Sequence, residues 1–358
     1  MQSLKKPLLT LAVAAALTAP AVRADAPGDT ALSGLMFVDF TDIQTRKNGT
    51  DMDPDGYGLD VKRFYLGVNH SFDAVWSANL VTDFDLPKLA VTGKDSTGAT
   101  VSSTGNSAET QVFIKKAYLQ AHFSDLFTAR AGAADMPWIP FVEGIYGYRF
   151  VEKTLLDRLK FGNTVDWGLH GFGHDAGGSL NYAASLVNGG GFRNPSRSKG
   201  MDAEARVGFT PVEGLTLALG AYSGKLGQDT EATPAQHTAS RADLFAAWKA
   251  SGLTLGAEYF SASDFTAVST TASDKADGWS LFGSYDLPAG YSLFGRYDRA
   301  KPSKDQDASL ADTYFNAGVA WRSSPNVTWA LAYKSDKLAD NVNETKSREL
   351  GVWAQVKF

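Results

Sequence analysis

Leu350-Gly351-Val352-Trp353-Ala354-Gln355-Val356-Lys357-Phe358, the last nine residues of a 358-residue chain, alternate in character. Leu350, Val352, Ala354, Val356 and Phe358 share one face of an extended segment, and Glu349, Gln355 and Lys357 share the other, because successive side chains of a strand point to opposite sides. One face suits lipid and the other water. Toward the N-terminus the same rhythm returns in segments of roughly ten residues, joined by links that are by turns short and long. That is the pattern of a closed antiparallel transmembrane β-barrel, an all-β fold.

The beginning of the chain points to export. Met1 to Ala24 carries Lys5 and Lys6, an apolar run from Leu8 to Leu17, and small residues at Val22 and Ala24 before an expected cut, the layout of a secretory signal peptide. The apolar run falls short of the ~20 residues a helix needs to cross a bilayer, and no later run approaches that length. Residues 25–358 are therefore expected to form the barrel domain. With no cysteine in the sequence, neither a disulfide framework nor thiol chemistry is available. A closed hydrogen-bonded sheet supplies the stability instead, since an unpaired backbone group in lipid costs several kcal/mol. The formal charge of −5 becomes more negative once Lys5, Lys6 and Arg23 are removed, which argues against nucleic acid as a partner.

Runs bounded by Gly, Pro, Asn, Asp and Ser place about sixteen strands, an even number of the kind bacterial barrels use. They lie near Ala31–Phe40, Leu59–Ser71, Val75–Leu86, Gln111–Phe123, Leu126–Ala134, Val165–Gly173, Ser179–Val187, Met201–Phe209, Leu215–Gly224, Ser240–Lys249, Leu253–Ser261, Gly278–Leu287, Tyr291–Arg299, Asp312–Trp321, Val327–Lys334 and Arg348–Phe358. Short links such as Phe72-Asp73-Ala74, Ser124-Asp125 and Pro288-Ala289-Gly290 belong in the periplasm, together with both termini, and the long polar links outside. A one-residue slip near Ala203–Phe209 would drive Glu204 and Arg206 into hydrocarbon, so register is strongly specified. Outward aromatics, Trp279 with Tyr285, Tyr291 with Tyr297, Phe315 with Trp321 and Trp329 with Tyr333, suit two interfacial girdles.

The segment from Met136 to Thr164 differs from the polar tips at Asp229–Ser240 and Ser335–Lys346. It holds Trp138, Ile139, Phe141, Val142, Ile145, Tyr146, Tyr148 and Phe150, then a helical turn at Val151–Lys160 with Leu155, Leu156 and Leu159 as an apolar stripe. This much apolar surface is expected to fold back into the barrel as an inward-folded third external loop. A lid or subunit latch outside the barrel is the alternative.

On that topology the inward bases are Arg63, Lys116, Arg130, Arg206, Arg241, Arg296 and Lys334, with Tyr118 beside them, and the loop adds Arg149, Lys153, Arg158 and Lys160. The inward acids are Asp83, Asp85, Asp166, Asp202, Glu204, Asp243, Glu258 and Asp298, with Glu143, Glu152 and Asp157 from the loop. Facing rings of opposite sign would create a transverse field that screens solutes. Arg63, Lys116 and Arg130, near the root of the loop, form the expected basic patch at the constriction.

Catalytic and metal signals are weak. His170 and His174 on a strand stand ~13 Å apart, too far for one ion, and no serine, histidine and acid grouping stands out as a triad. No enzyme activity and no cofactor are expected. Asp51-Met52-Asp53-Pro54-Asp55-Gly56 opens like a calcium loop, but Lys62 occupies the twelfth position where a bidentate Glu is needed. An acidic turn is the plainer reading. Gly189-Gly190-Gly191 precedes no helix that could cradle phosphate.

Arg63-Phe64-Tyr65-Leu66-Gly67-Val68, Val112-Phe113-Ile114-Lys115-Lys116-Ala117-Tyr118-Leu119 and Leu126–Pro137 resemble the early strands of bacterial outer-membrane porins of the phosphate-selective O and P family. The terminal Phe358 resembles the signal read by the barrel-assembly machinery. The resemblance implies a sixteen-stranded, usually trimeric channel narrowed by its third loop. Phosphate-selecting members carry dense arginine and lysine arrays, whereas here inward bases and acids nearly balance. The expected function is passive diffusion of small hydrophilic solutes or ions, anions such as phosphate among them, through a homotrimer set in outer-membrane lipid and lipopolysaccharide. A plugged barrel serving as adhesin or assembly scaffold is the alternative.

Overall fold

The computed structural model describes residues 27–85, 88–94, 100–106 and 111–358, so the expected signal peptide at 1–24 lies outside the described residues. In chain order the strands are β1 (Thr30–Lys47), β2 (Thr50–Ser71), β3 (Trp76–Asp85), β4 (Lys88–Lys94), β5 (Thr100–Asn106), β6 (Gln111–Ser124), β7 (Phe127–Asp135), β8 (Val165–His174), β9 (Leu180–Val187) and β10 (Asp202–Val212). They continue as β11 (Leu215–Gly224), β12 (Ala239–Ala250), β13 (Leu253–Ser263), β14 (Lys275–Asp286), β15 (Tyr291–Lys301), β16 (Ala311–Ser324), β17 (Val327–Ala339) and β18 (Glu344–Lys357). Two short helices, α1 (Ile139–Tyr146) and α2 (Leu155–Leu159), lie between β7 and β8.

Sixteen strands make one closed antiparallel barrel, and β4 with β5 forms a separate hairpin. β1 and β18 close it, in register from Leu35↔Lys357 to Lys47↔Thr345. The last residue takes part: the Gly34 amide donates to the Phe358 carbonyl at 2.6 Å and the Phe358 amide donates back at 3.0 Å. A Cβ at position 34 would come within 2.1 Å of the Phe358 ring, so any side chain there would displace that ring. Closure leaves no sheet edge to satisfy in lipid.

Alternation sets the faces as the sequence predicts. On β10, Asp202, Glu204 and Arg206 are buried on the inner face while Val207 and Phe209 are exposed outside. All four aromatic pairs expected at the girdles stand on the outer face, and the Trp321 and Trp329 rings stack with centroids 6.2 Å apart.

Three expectations are corrected. The first outer loop, read between Phe40 and Leu59, is instead a continuation of β1 and β2 to a tight turn at Asn48-Gly49, with φ of 50° and 83° and Lys47 paired to Thr50. Asn-Gly is the favoured pair for such a turn, since both residues must adopt positive φ. Asp51 lies in the paired part of β2, Asp53 and Asp55 fall in a bulge opposite Gln44, and no group of three metal-binding side chains forms among the described residues. Asp51 instead pairs with Arg46 at 2.7 Å. The tip at Ser335–Lys346 is likewise mostly strand, with Asp336↔Ser347 and Leu338↔Thr345 in register. Backbone pairing proceeds whatever the side chains, so polar composition hid strands that run beyond the apolar band. Finally, α1 went unpredicted beside the expected turn at α2. Its Pro140 fits the first helical turn, where no amide bond is lost, and Gly147 caps it at φ 79°.

Candidate functional site: the inner wall and segment 136–164

Every basic residue proposed for the inner wall lies on the inner face. Lys116 donates to Asp135 at 2.7 Å, Arg130 lies 3.9 Å from the same carboxylate, and Arg63 lies 3.4 Å from Asp83. Arg206 donates to the Pro137 carbonyl at 2.9 Å and to Asn181 at 2.5 Å. Arg296 pairs with Asp298 at 2.9 Å, and Lys334 with Glu349 at 2.5 Å. Tyr118 faces inward with its ring 4.5 Å from the Arg130 guanidinium. The side chain of Asp85 lies outside the described residues.

Two bulges enlarge this set. Arg63 opposes Phe37 and Val61 opposes Val38, which makes Lys62 an extra residue; Lys116 opposes Val81 and Ile114 opposes Thr82, which does the same for Lys115. A bulge turns two consecutive side chains toward one face. Lys62 thus reaches Asp39 at 2.6 Å beside Arg63, and Lys115 donates to the Thr164 hydroxyl at 2.7 Å beside Lys116. Strict alternation missed both lysines. The doublets Lys62-Arg63 and Lys115-Lys116 were the available signal, because without a bulge one member of each would face lipid.

Inner-face side chains hold segment 136–164 from many sides. Trp138, fully buried, donates its amide to Glu204 and its indole N–H to Glu258, both at 2.8 Å. Gly220 on β11 makes room for it, since a Cβ there would lie 2.4 Å from the indole. Ile139, Val142, Leu155, Leu156 and Phe161 pack with Phe245, Phe260 and Phe282 of β12, β13 and β14 in one apolar cluster. Tyr148 stacks on Phe294 of β15 at 4.2 Å, and Phe150 meets Phe37 of β1 at 6.4 Å. Arg158 joins Asp298, Asp312 and Asp336 at 3.4, 2.5 and 3.1 Å, and Glu152 receives Lys334 at 3.1 Å. The inner faces of β6 to β9 keep half-exposed residues: Tyr118, Gln120, Arg130, Phe172 and Asn181.

Charges interleave here where facing rings of opposite sign were expected. Arg241 with Asp243, and Arg296 with Asp298, are neighbours two residues apart on one strand. The expected basic patch likewise has Asp83 and Asp135 set among Arg63, Lys116 and Arg130. Packed apolar groups keep water from much of this wall, and a buried charge without a near partner is costly. In the segment itself, burial pushes the Glu143 carboxyl up to about 7 although Arg149 donates to it at 2.6 Å. Glu152 is also buried, but Lys334 and Lys62 hold it down at about 2. Arg149 approaches Asp157 at 4.0 Å and Lys153 reaches it at 3.8 Å. His170 is committed to Ser185 at 2.8 Å, and no group of three metal-binding side chains occurs among the described residues.

No protein-family model and no curated protein matches this chain in sequence. Solved structures do match in shape. The anion-selective porin from Comamonas acidovorans matches with a TM-score of 0.63 over 92% of this chain and 100% of its own, at 12% identity. OmpF of Salmonella typhi, in complex with daunomycin, gives 0.60 over 92% and 98%, at 11% identity. The outer membrane channel DcaP of Acinetobacter baumannii gives 0.58 over 94% and 99%, at 13% identity. At these identities the likeness is one of fold, and the fold of this chain is the sixteen-stranded barrel of the bacterial outer-membrane porins.

Proposed function

We propose that the protein is an exported outer-membrane porin through which small hydrophilic solutes or ions diffuse passively, with segment 136–164 lying across the lumen and narrowing it. One observation carries this reading. Charged side chains of the inner wall keep contact with water, Arg63 at 23%, Arg130 at 19% and Asp135 at 22% exposure, whereas the wall beneath the segment is sealed. A plugged scaffold would bury both. Selection then comes from width and wall charge with no chemical step. The homotrimer, targeting through Phe358 and removal of residues 1–24 belong to the same proposal, as does phosphate as one of the anions carried.

The outer face supports a setting in lipopolysaccharide. Arg299, Thr313, Lys337, Lys346 and Arg46 form one cross-strand row over β15 to β18 and β1. Four of the five are cations, just beyond the apolar band of Tyr297, Phe315, Tyr333 and Leu350, with Arg46 also paired to Asp51 and Lys337 to Glu344. Lipid phosphates at that level would meet them as paired charges.

Purified protein in a planar bilayer is expected to give stepwise conductance. Neutralising Arg63, Lys116 and Arg130 should move the reversal potential in a salt gradient toward cation preference. A complete absence of ion flux would favour the plugged scaffold, and an unmoved potential would remove the three bases from the selective region.

Glu143 makes the segment sensitive to pH. Its folded value of about 7 exceeds the ordinary 4.5, so protonation favours the packed segment. The contribution is complete below about 4.5 and is lost as pH rises toward about 7. Protease nicking within 136–164 is expected to increase from pH 5 to pH 8, and Glu143→Gln should flatten that profile. A profile unchanged by Glu143→Gln would assign the effect to another group.

A further inference from the structure

We infer that the wall of β6 to β8 carries a binding station for small anions that bear a flat apolar group, aromatic carboxylates being the chemical class. The inference deepens the channel reading and rests on it. Arg130 of β7 is clasped between Tyr118 of β6 and Phe172 of β8, with its guanidinium carbon 4.5 and 4.6 Å from the two ring centres. Gln120 accepts from its Nε at 2.9 Å, which fixes the plane of the fork. Nη1 lies 3.9 Å from Asp135, beyond hydrogen-bond reach, and Nη2 has no partner among the described residues. Both terminal nitrogens therefore keep donors for an incoming carboxylate, in the fork geometry that suits it. The fork is held in place before the ligand arrives, so little side-chain freedom is lost on binding.

The strip continues sideways. Phe172 pairs with Ala183, and Ala183 pairs with Arg206, whose guanidinium stands 4.0 Å from the Phe141 ring centre. Tyr118, Arg130 and Phe172 thus alternate ring, cation and ring on the half-exposed wall, and the row ends at buried Arg206 against Phe141 of the segment itself. Another arginine set between two rings differs in both respects. Arg296 lies between Tyr146 and Tyr314 at 4.9 and 4.7 Å, but it is buried and spends Nε and Nη2 on Asp298. At the Arg130 station a flat ring gains a stacking contact worth about 0.5–1.5 kcal/mol, and its carboxylate gains the charged hydrogen bonds. Acetate obtains only the second of these, and a neutral aromatic alcohol only the first.

The test compares benzoate, acetate and benzyl alcohol as additives to potassium chloride current through the reconstituted protein. Benzoate is expected to reduce the current at concentrations where the other two do not. With both variants checked as folded barrels by heat-modifiable migration on gels, Arg130→Gln should weaken the benzoate effect by roughly tenfold or more, as loss of a charged hydrogen bond predicts, and Phe172→Ala by roughly two- to tenfold, as loss of a stacked ring predicts. Equal action of benzoate and acetate, or a full benzoate effect in both variants, would overturn the station while leaving the channel intact. If the wild type passes no current, the channel reading is what fails. Calorimetric titration of benzoate into detergent-solubilised protein then decides the station by itself: saturable heat that Arg130→Gln abolishes upholds it, and absence of heat overturns it.

Discussion

Replacing Arg158 by alanine should cost about 3–5 kcal/mol of folded-state stability, the range for leaving buried charges without their partner. One guanidinium serves Asp298, Asp312 and Asp336, which sit on three consecutive strands, β15, β16 and β17, and its carbon lies 4.7 Å from the Tyr314 ring centre. Asp298 and Asp312 are almost wholly buried. Without the cation Asp312 loses its ion-pair partner and faces Asp298, which keeps Arg296 alone, in a place where water screens poorly. Urea unfolding in detergent, followed by the shift in gel migration, measures the loss. Arg158→Lys should recover only part of it, because an ammonium is a point charge and cannot present a planar fork to several carboxylates. The decisive control is Arg158→Ala combined with Asp312→Asn and Asp336→Asn, with Asp298 left in place to pair with Arg296. Most of the loss should disappear there if unpaired acid charge is its source. A loss that persists in the combined variant would point to lost packing on Tyr314 instead.

The barrel was legible because a strand with lipid on one side and charge on the other has a period of two that few substitutions can blur. The terminal stretch from Leu350 to Phe358, and the Glu204 and Arg206 pair, each placed a whole strand by that rule. Strand length was not legible beyond the membrane. From Thr41 to Gly58 and from Ser335 to Lys346 both faces meet water, the alternation lapses, and polar composition reads as loop. Asn48-Gly49 was the remaining signal, carried by backbone geometry and independent of hydropathy.

Candidate positions on the inner wall were legible residue by residue, while their pairing was not. Arg241 and Asp243 are two apart in sequence, and alternation alone puts both inside. That Arg241 also reaches Glu204 of β10 and the Phe161 carbonyl of the segment depends on strand neighbours and on the course of residues 136–164. Lys62 and Lys115 mark a different limit. A bulge changes the phase of a strand at one residue, and a rule built on constant phase assigns that residue to the wrong side.

Trp138 is where the segment has most to lose, and Trp138→Ala should cost about 3–5 kcal/mol, the usual range for removing a large buried aromatic side chain. The indole N–H also satisfies Glu258, so truncation leaves that buried carboxyl without its donor. The stability loss alone would not distinguish a role in holding the segment from ordinary core packing. The contact with Gly220 does. A side chain at 220 would enter the space of the indole, so Gly220→Leu attacks the seat and leaves Trp138 itself in the sequence. Both variants are expected to free the start of segment 136–164, to expose it to protease, and to raise single-channel conductance severalfold while the barrel still migrates as folded. If conductance is unchanged although the segment becomes cleavable, residues 136–164 do not set the width of the passage, and the narrowing must be sought among the outer loops.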